Sequence, residues 1–221
     1  MIAAENVIQL VRQVINEFAT EGDELSSEVT SSILDFIRIA APVIVMDVSV
    51  AYHICKTVAF DKSVSANYFQ RPDGMTAIKI PLPQDFCRFV SVKADTWLYP
   101  ATILFSDGNA GFASNYSVIP GIGNGPSSPA VFLTTEVGEN GELSSYIVGH
   151  SLASAENFIL SYVACPQVSE TEIHMDERLS DALAYYAAGL YLQSISDVNG
   201  SKAAYDMYQN IIAKLNNIAT L

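Results

Sequence analysis

Near the N-terminus the apolar positions Val7, Val11, Val14 and Phe18 recur at steps of four, three and four. With 3.6 residues to a turn, that spacing lays them on one face of a helix. Gly22 and Asp23 interrupt the pattern, and Val29, Ile33, Phe36 and Ala40 resume it, with Ser26 and Ser27 as candidate caps. Pro42 is the expected stop or kink of this second helix, since proline removes a helix donor. Val43 to His53 fits either helix or strand. From about Thr57 the period shortens to β-like runs at Ala77 to Ile80, Phe86 to Ala94, Tyr99 to Phe105, Ala130 to Thr134, Ser144 to Val148 and Asn157 to Cys165. In the last run Phe158, Leu160, Tyr162 and Ala164 share one face. Turn-forming residues fall between the runs, at Pro72-Asp73-Gly74, Pro81-Leu82-Pro83, Asp107-Gly108, Gly121 to Gly125 and Gly138 to Gly141.

Helical spacing returns at Leu179, Leu183, Tyr186 and Leu190, interleaved with alanines and Gly189, small residues that admit a second helix at close range. Asn199-Gly200 is the expected break before a final helix with the stripe Ala204, Tyr208, Ile211, Leu215 and Ile218. Four short helices need one another to bury their apolar faces. The predicted fold is therefore α+β: a helical bundle from the terminal pairs, residues 1–56 and 172–221, with an inserted antiparallel sandwich or barrel-like β domain at 57–171. The last helix also offers Tyr205, Met207 and Ile212 beside its stripe. That is more apolar surface than one bundle contact requires, so Ala204, Tyr205, Met207, Tyr208, Ile211, Ile212, Leu215 and Ile218 form the candidate interface.

Charge narrows the function classes. The chain of 221 residues carries a formal net charge of −13, from 24 acids against 11 bases. Between Lys93 and Arg178 there is no Lys or Arg, while ten carboxylates fall in the same span. Such a surface repels phosphate, which argues against nucleic-acid binding through basic contacts. Half the residues are hydrophobic and 16% are charged, a balance that suits a subunit lying against other chains. The longest apolar runs, Ile39 to Met46 and Ala182 to Leu192, fall far short of the roughly 20 residues a membrane helix needs. Glu5 comes too early for a signal peptide. Cys55, Cys87 and Cys165 are odd in number and widely spaced, and are expected to be buried free thiols in a reducing cytoplasm.

Candidate chemistry is sparse. Gly149-His150-Ser151-Leu152-Ala153 resembles a nucleophile elbow, but the only later histidine, His174, leaves no room for the elements that carry an acid and a base. No catalytic residue is assigned to this serine hydrolase alternative. Gly121 to Gly125 runs into Pro126 rather than a helix N-terminus, so it does not form a phosphate cradle. His53, Cys55, His150, His174 and Asp176 show no metal-ligand spacing; the acidic loops at Asp73 to Gly74 and Glu136 to Glu142 could hold Ca²⁺ but match no EF-hand pattern, and no cofactor is expected. Trp97 and the eleven tyrosines could line a groove for sugar or peptide, which keeps a carbohydrate- or receptor-binding β-sandwich module as an alternative; core and interface packing is the favoured role.

Four segments, in order, carry a resemblance. Pro81-Leu82-Pro83-Gln84-Asp85-Phe86-Cys87-Arg88-Phe89-Val90-Ser91-Val92-Lys93 resembles the LPxDFxRxxSV stretch of head-to-tail adaptor proteins in short-tailed bacteriophages, the group that includes tail tubular protein A. Trp97-Leu98-Tyr99-Pro100 is similar to that family's WxRP step, Pro129-Ala130-Val131-Phe132-Leu133 to its PxxFL strand, and Leu179-Ser180-Asp181-Ala182-Leu183-Ala184-Tyr185-Tyr186-Ala187-Ala188 to its LxDALxYYxA helix. Tyr99 departs from the pattern, a basic residue being frequent before that proline, and no charge contact is carried over there. Low arginine with high tyrosine and serine is similar to crAss-like phages. The resemblance implies a non-enzymatic virion protein at the head–tail interface, made in the host bacterial cytoplasm. It further implies a dodecameric ring docked below the portal protein and above tail or nozzle proteins, lining the channel for genomic DNA without binding it tightly.

Overall fold

The computed structural model describes residues 1–18, 27–61, 69–70, 76–105, 131–137, 140–151 and 157–219, and shows a mixed α and β protein. Its helices are α1 (Ala4–Phe18), α2 (Ser27–Asp47), α3 (Ser180–Ser194) and α4 (Val198–Ala219). The strands are β1 (Ile2–Ala3), β2 (Cys55–Asp61), β3 (Phe69–Gln70), β4 (Thr76–Pro81), β5 (Phe86–Ala94), β6 (Leu104–Phe105), β7 (Val131–Val137), β8 (Leu143–Ser151), β9 (Asn157–Ala164) and β10 (Glu172–Ile173). The chain divides into two compact units, Met1–Ile54 with Val163–Leu221, and Cys55–Tyr162.

In the first unit α3 is the central element. Ala182, Leu183, Ala184, Ala187, Ala188, Gly189 and Leu192 are all buried, and the helix packs against α1, α2 and α4. Small side chains around its circumference let three neighbours approach, which no single apolar stripe would serve. The α1 face buries Val7, Val11 and Val14 as their spacing predicts, together with Ala4, Ile8 and Ile15. Helix α2 continues through Pro42 to Asp47. A proline there leaves the Arg38 carbonyl without its usual donor, but the burial of Ile37, Ala41, Ile44 and Val45 on either side outweighs that loss. Residues 163–171, expected in the β insertion, group with the helices. Strand β10 pairs antiparallel with β1, and the Ala4 N–H donates to the Thr171 carbonyl at 3.0 Å, so the returning chain is stitched to the start of α1.

The second unit holds a three-stranded sheet ordered β2-β9-β5 and a five-stranded sheet ordered β3-β4-β8-β7-β6. Strand β5 has the predicted ends, and β4, β7, β8 and β9 lie on their predicted runs. The run Tyr99 to Phe105 does not. It supplies an isolated bridge from Ala101 to Val92 and the short β6, which pairs with β7 in parallel. Strand β6 thus departs from the expected antiparallel pairing, while β3-β4, β4-β8 and β7-β8 follow it. A parallel neighbour needs a connection of a dozen or more residues, and the sequence between Phe105 and Val131 is long enough for one. The breaks at Gly22-Asp23, Pro72-Asp73-Gly74 and Asp107-Gly108, and the glycine-rich run Gly121 to Gly125, lie outside the described residues.

Candidate functional site

Helix α4 is positioned by the turn that joins it to α3. Ser196 sits in the left-handed region at φ 65°, the Ser196 N–H donates to the Gln193 carbonyl at 3.1 Å, and the Asp197 N–H donates to Leu192 at 2.9 Å. These two bonds satisfy carbonyls that the end of α3 leaves open. Asp197 then caps α4, its carboxylate accepting from the Gly200 N–H at 2.9 Å. The chain thus breaks at Ile195 to Asp197, and Asn199-Gly200 lies inside the first turn of α4. Glycine is needed at 200 for space: a Cβ there would stand 2.7 Å from the Phe18 carbonyl oxygen.

The eight candidate interface residues separate into two groups. Ala204, Tyr208 and Ile212 are core, spaced by four along the inner face, and Tyr205, Ile211 and Leu215 are half-buried. The inner stripe runs through Ile212 instead of Ile211. Met207, 39% exposed, and Ile218, 63% exposed, remain outside. Tyr208 explains why the helix is committed inward. Its ring is fully buried, stands edge-on to Tyr186 at 4.9 Å between centroids, and its hydroxyl donates to Asp47 Oδ2 at 2.6 Å. Burial, and then the bond to Asp47, push its phenol far up from the ordinary value.

The motif residues in the β unit make a second constellation. Asp85 lies in the turn before β5, where its carboxylate accepts from Lys56 Nζ on β2 at 2.6 Å and from Tyr162 Oη on β9 at 2.8 Å. All three strands of one sheet are thereby joined through one side chain, and Phe86 stacks on Tyr162 at 5.8 Å. The Lys56 ammonium first, and then the Tyr162 hydroxyl, hold the Asp85 carboxyl below the usual range. Burial and the bond to Asp85 push Tyr162 up to about 12. Downstream, Trp97 is buried, with its ring against Gly149, and Lys93 Nζ donates to the carbonyls of Trp97 and Leu98, the latter at 2.7 Å. Leu98 and Tyr99 are left exposed on this pinned loop. In the same unit Lys79 reaches past the Tyr146 ring to pair with Glu136.

Ser151 is the last residue of β8 and pairs with Thr76 in an antiparallel ladder. A nucleophile elbow ends a strand of a parallel sheet, whereas β8 runs antiparallel to both β4 and β7; the residues after Ser151, 152–156, lie outside the described residues. The cysteines correct an expectation of burial: Cys55, the first residue of β2, is exposed, and Cys87 on β5 and Cys165 just after β9 are partly exposed. Among the described residues no group of three His, Cys, Asp or Glu side chains is placed to hold a metal ion, and no helix is long and apolar enough to cross a membrane. Two structural signals were illegible in sequence, Asn216 and Asp176. Asn216 bonds the backbone at the end of α2, and Asp176 caps the turn Glu177–Leu179 while forming a two-pronged pair with Arg178. Compared with models of known protein families and with characterised proteins, the sequence matches none.

Proposed function

We propose that this chain is a structural head-to-tail adaptor of a short-tailed bacteriophage, assembling as a dodecameric ring between portal and tail around the path of the DNA. The observation that carries the reading is the order of four family-like segments and the elements on which they fall. The first is the Asp85 turn and β5, the second the loop pinned by Lys93, the third β7, and the fourth the opening turns of the central helix α3. A helical bundle formed from both chain ends, with a β-sandwich made of the two sheets inserted between them, is the architecture this reading assigns. Low charge and an 84-residue stretch without a base suit a subunit flanked by copies of itself and exposed to sliding DNA, because like charge keeps phosphate from sticking. Exposed apolar side chains at Met207 and Ile218 on α4, and at Leu98 and Tyr99, are the candidate contacts.

The test is assembly. Purified protein mixed with portal rings of its phage should co-sediment with them and add a ring of density beneath the portal in negative-stain images. Failure to associate with portal, in isolation and in tailless capsids alike, would remove the adaptor reading.

A further inference from the structure

A helix leaves its last four carbonyls without partners inside the helix. At the end of α2 two open groups are met by one side chain from the other end of the sequence. Asn216 Nδ2 donates to the Asp47 carbonyl at 2.9 Å, and Asn216 Oδ1 accepts from the Ser49 N–H at 2.8 Å. The donor and acceptor of the amide are thus both used, which fixes its orientation. One residue earlier on α4, the Leu215 carbonyl accepts from Tyr52 Oη at 3.1 Å. The Tyr52 ring is buried, with the Arg178 guanidinium 4.6 Å from its centroid. Asp47 is also held through its carboxylate by Tyr208. Residues 47 to 52 are therefore gripped by α4 at Tyr208, Leu215 and Asn216, just before the chain leaves the helical unit at Ile54.

We propose that the last turns of α4 are a conformational latch on this exit segment, with Asn216 as its positioning residue. Closed, the latch fixes the path by which the chain leaves α2. Open, it frees Val48–Ile54 and takes the buried Val48 and Tyr52 out of the edge of the core, while Ala204, Tyr208 and Ile212, which lie earlier on α4, keep that helix packed. The inference stands on hydrogen bonds within one unit and does not depend on the adaptor reading.

Hydrogen exchange on the full-length protein tests it, comparing wild type with Asn216→Ala and Tyr52→Phe. In Asn216→Ala, peptides covering residues 47 to 54 should exchange at least about tenfold faster, the loss of two backbone partners, while α1 and α3 keep their protection. Tyr52→Phe, which loses only the bond to Leu215, should accelerate the same peptides by less. Unchanged exchange at 47 to 54 in Asn216→Ala overturns the latch, and so does equal acceleration through α1 and α3, which would make Asn216 an ordinary contributor to global stability. If Asn216→Ala does not fold, Tyr52→Phe decides: local acceleration supports the latch and none overturns it.

Discussion

Two glycines show how differently the same substitution acts at neighbouring sites. Alanine at Gly200 would press its methyl against the Phe18 carbonyl, which is backbone and cannot turn away. Alanine at Gly189 would meet the Tyr205 ring at 2.9 Å, a half-buried side chain able to shift. Alanine otherwise favours a helix over glycine by about 1 kcal/mol. Gly200→Ala should therefore lose roughly 1–3 kcal/mol in urea denaturation, and Gly189→Ala should stay within about 1 kcal/mol of wild type. Equal losses at the two sites would contradict this ranking. Asp176 supplies a pH signature. Its bonds to the Arg178 side chain hold the carboxyl down at about 2, below its unfolded value, so its contribution is complete above pH 3.8 and disappears as pH falls from there toward 2. Thermal melts of Asp176→Asn should fall less steeply across that window than those of wild type. Parallel curves would show that the pair carries no net stability.

At the scale of elements, the Asp85 turn concentrates a sheet's cohesion in one carboxylate. Asp85→Ala strands the hydroxyl of the buried Tyr162, a loss of about 1–3 kcal/mol. Tyr162→Phe in the same background should recover part of it, and a double-mutant cycle with no coupling would refute the link. The aspartate was visible in sequence as part of a motif, but its partners Lys56 and Tyr162 were not, since they arrive from strands 29 and 77 residues away. The helices were legible because period and burial agree: Val7, Val11 and Val14 face the core as their spacing says. The break at Asn199-Gly200 was misplaced because turn composition cannot distinguish a glycine that bends the chain from one that makes room for another backbone. Strand β2 carries no sequence signal, because Cys55 to Thr57 is exposed and shows no alternation. Among the interface candidates, a stripe of apolar residues says that a helix is covered but not by what, and Tyr208 is covered from within.

For the whole molecule, that last point changes which variants probe assembly. Deleting residues 203 to 221 would remove Ala204, Tyr208 and Ile212 from the helical core and unfold that unit, so a lost partner could not be distinguished from lost structure. Met207→Ser and Ile218→Ser touch the outer surface instead. The double variant should keep its melting temperature within a few degrees of wild type, and under the adaptor reading should co-sediment less with portal rings. Undiminished co-sedimentation would place the docking surface elsewhere. Duplex DNA should be retained weakly or not at all at moderate salt, and submicromolar binding that weakens steeply with added salt would reverse the electrostatic argument. The division of the chain also sets an order of events on the ribosome. Helices α1 and α2 are synthesised first, yet their apolar faces belong against α3, which follows only after all of Cys55–Tyr162. At about 5–20 residues per second, the wait from the end of α2 to the completion of α3 lasts on the order of 7–30 s, long enough for the intervening β unit to emerge first and for the waiting helices to need protection from aggregation.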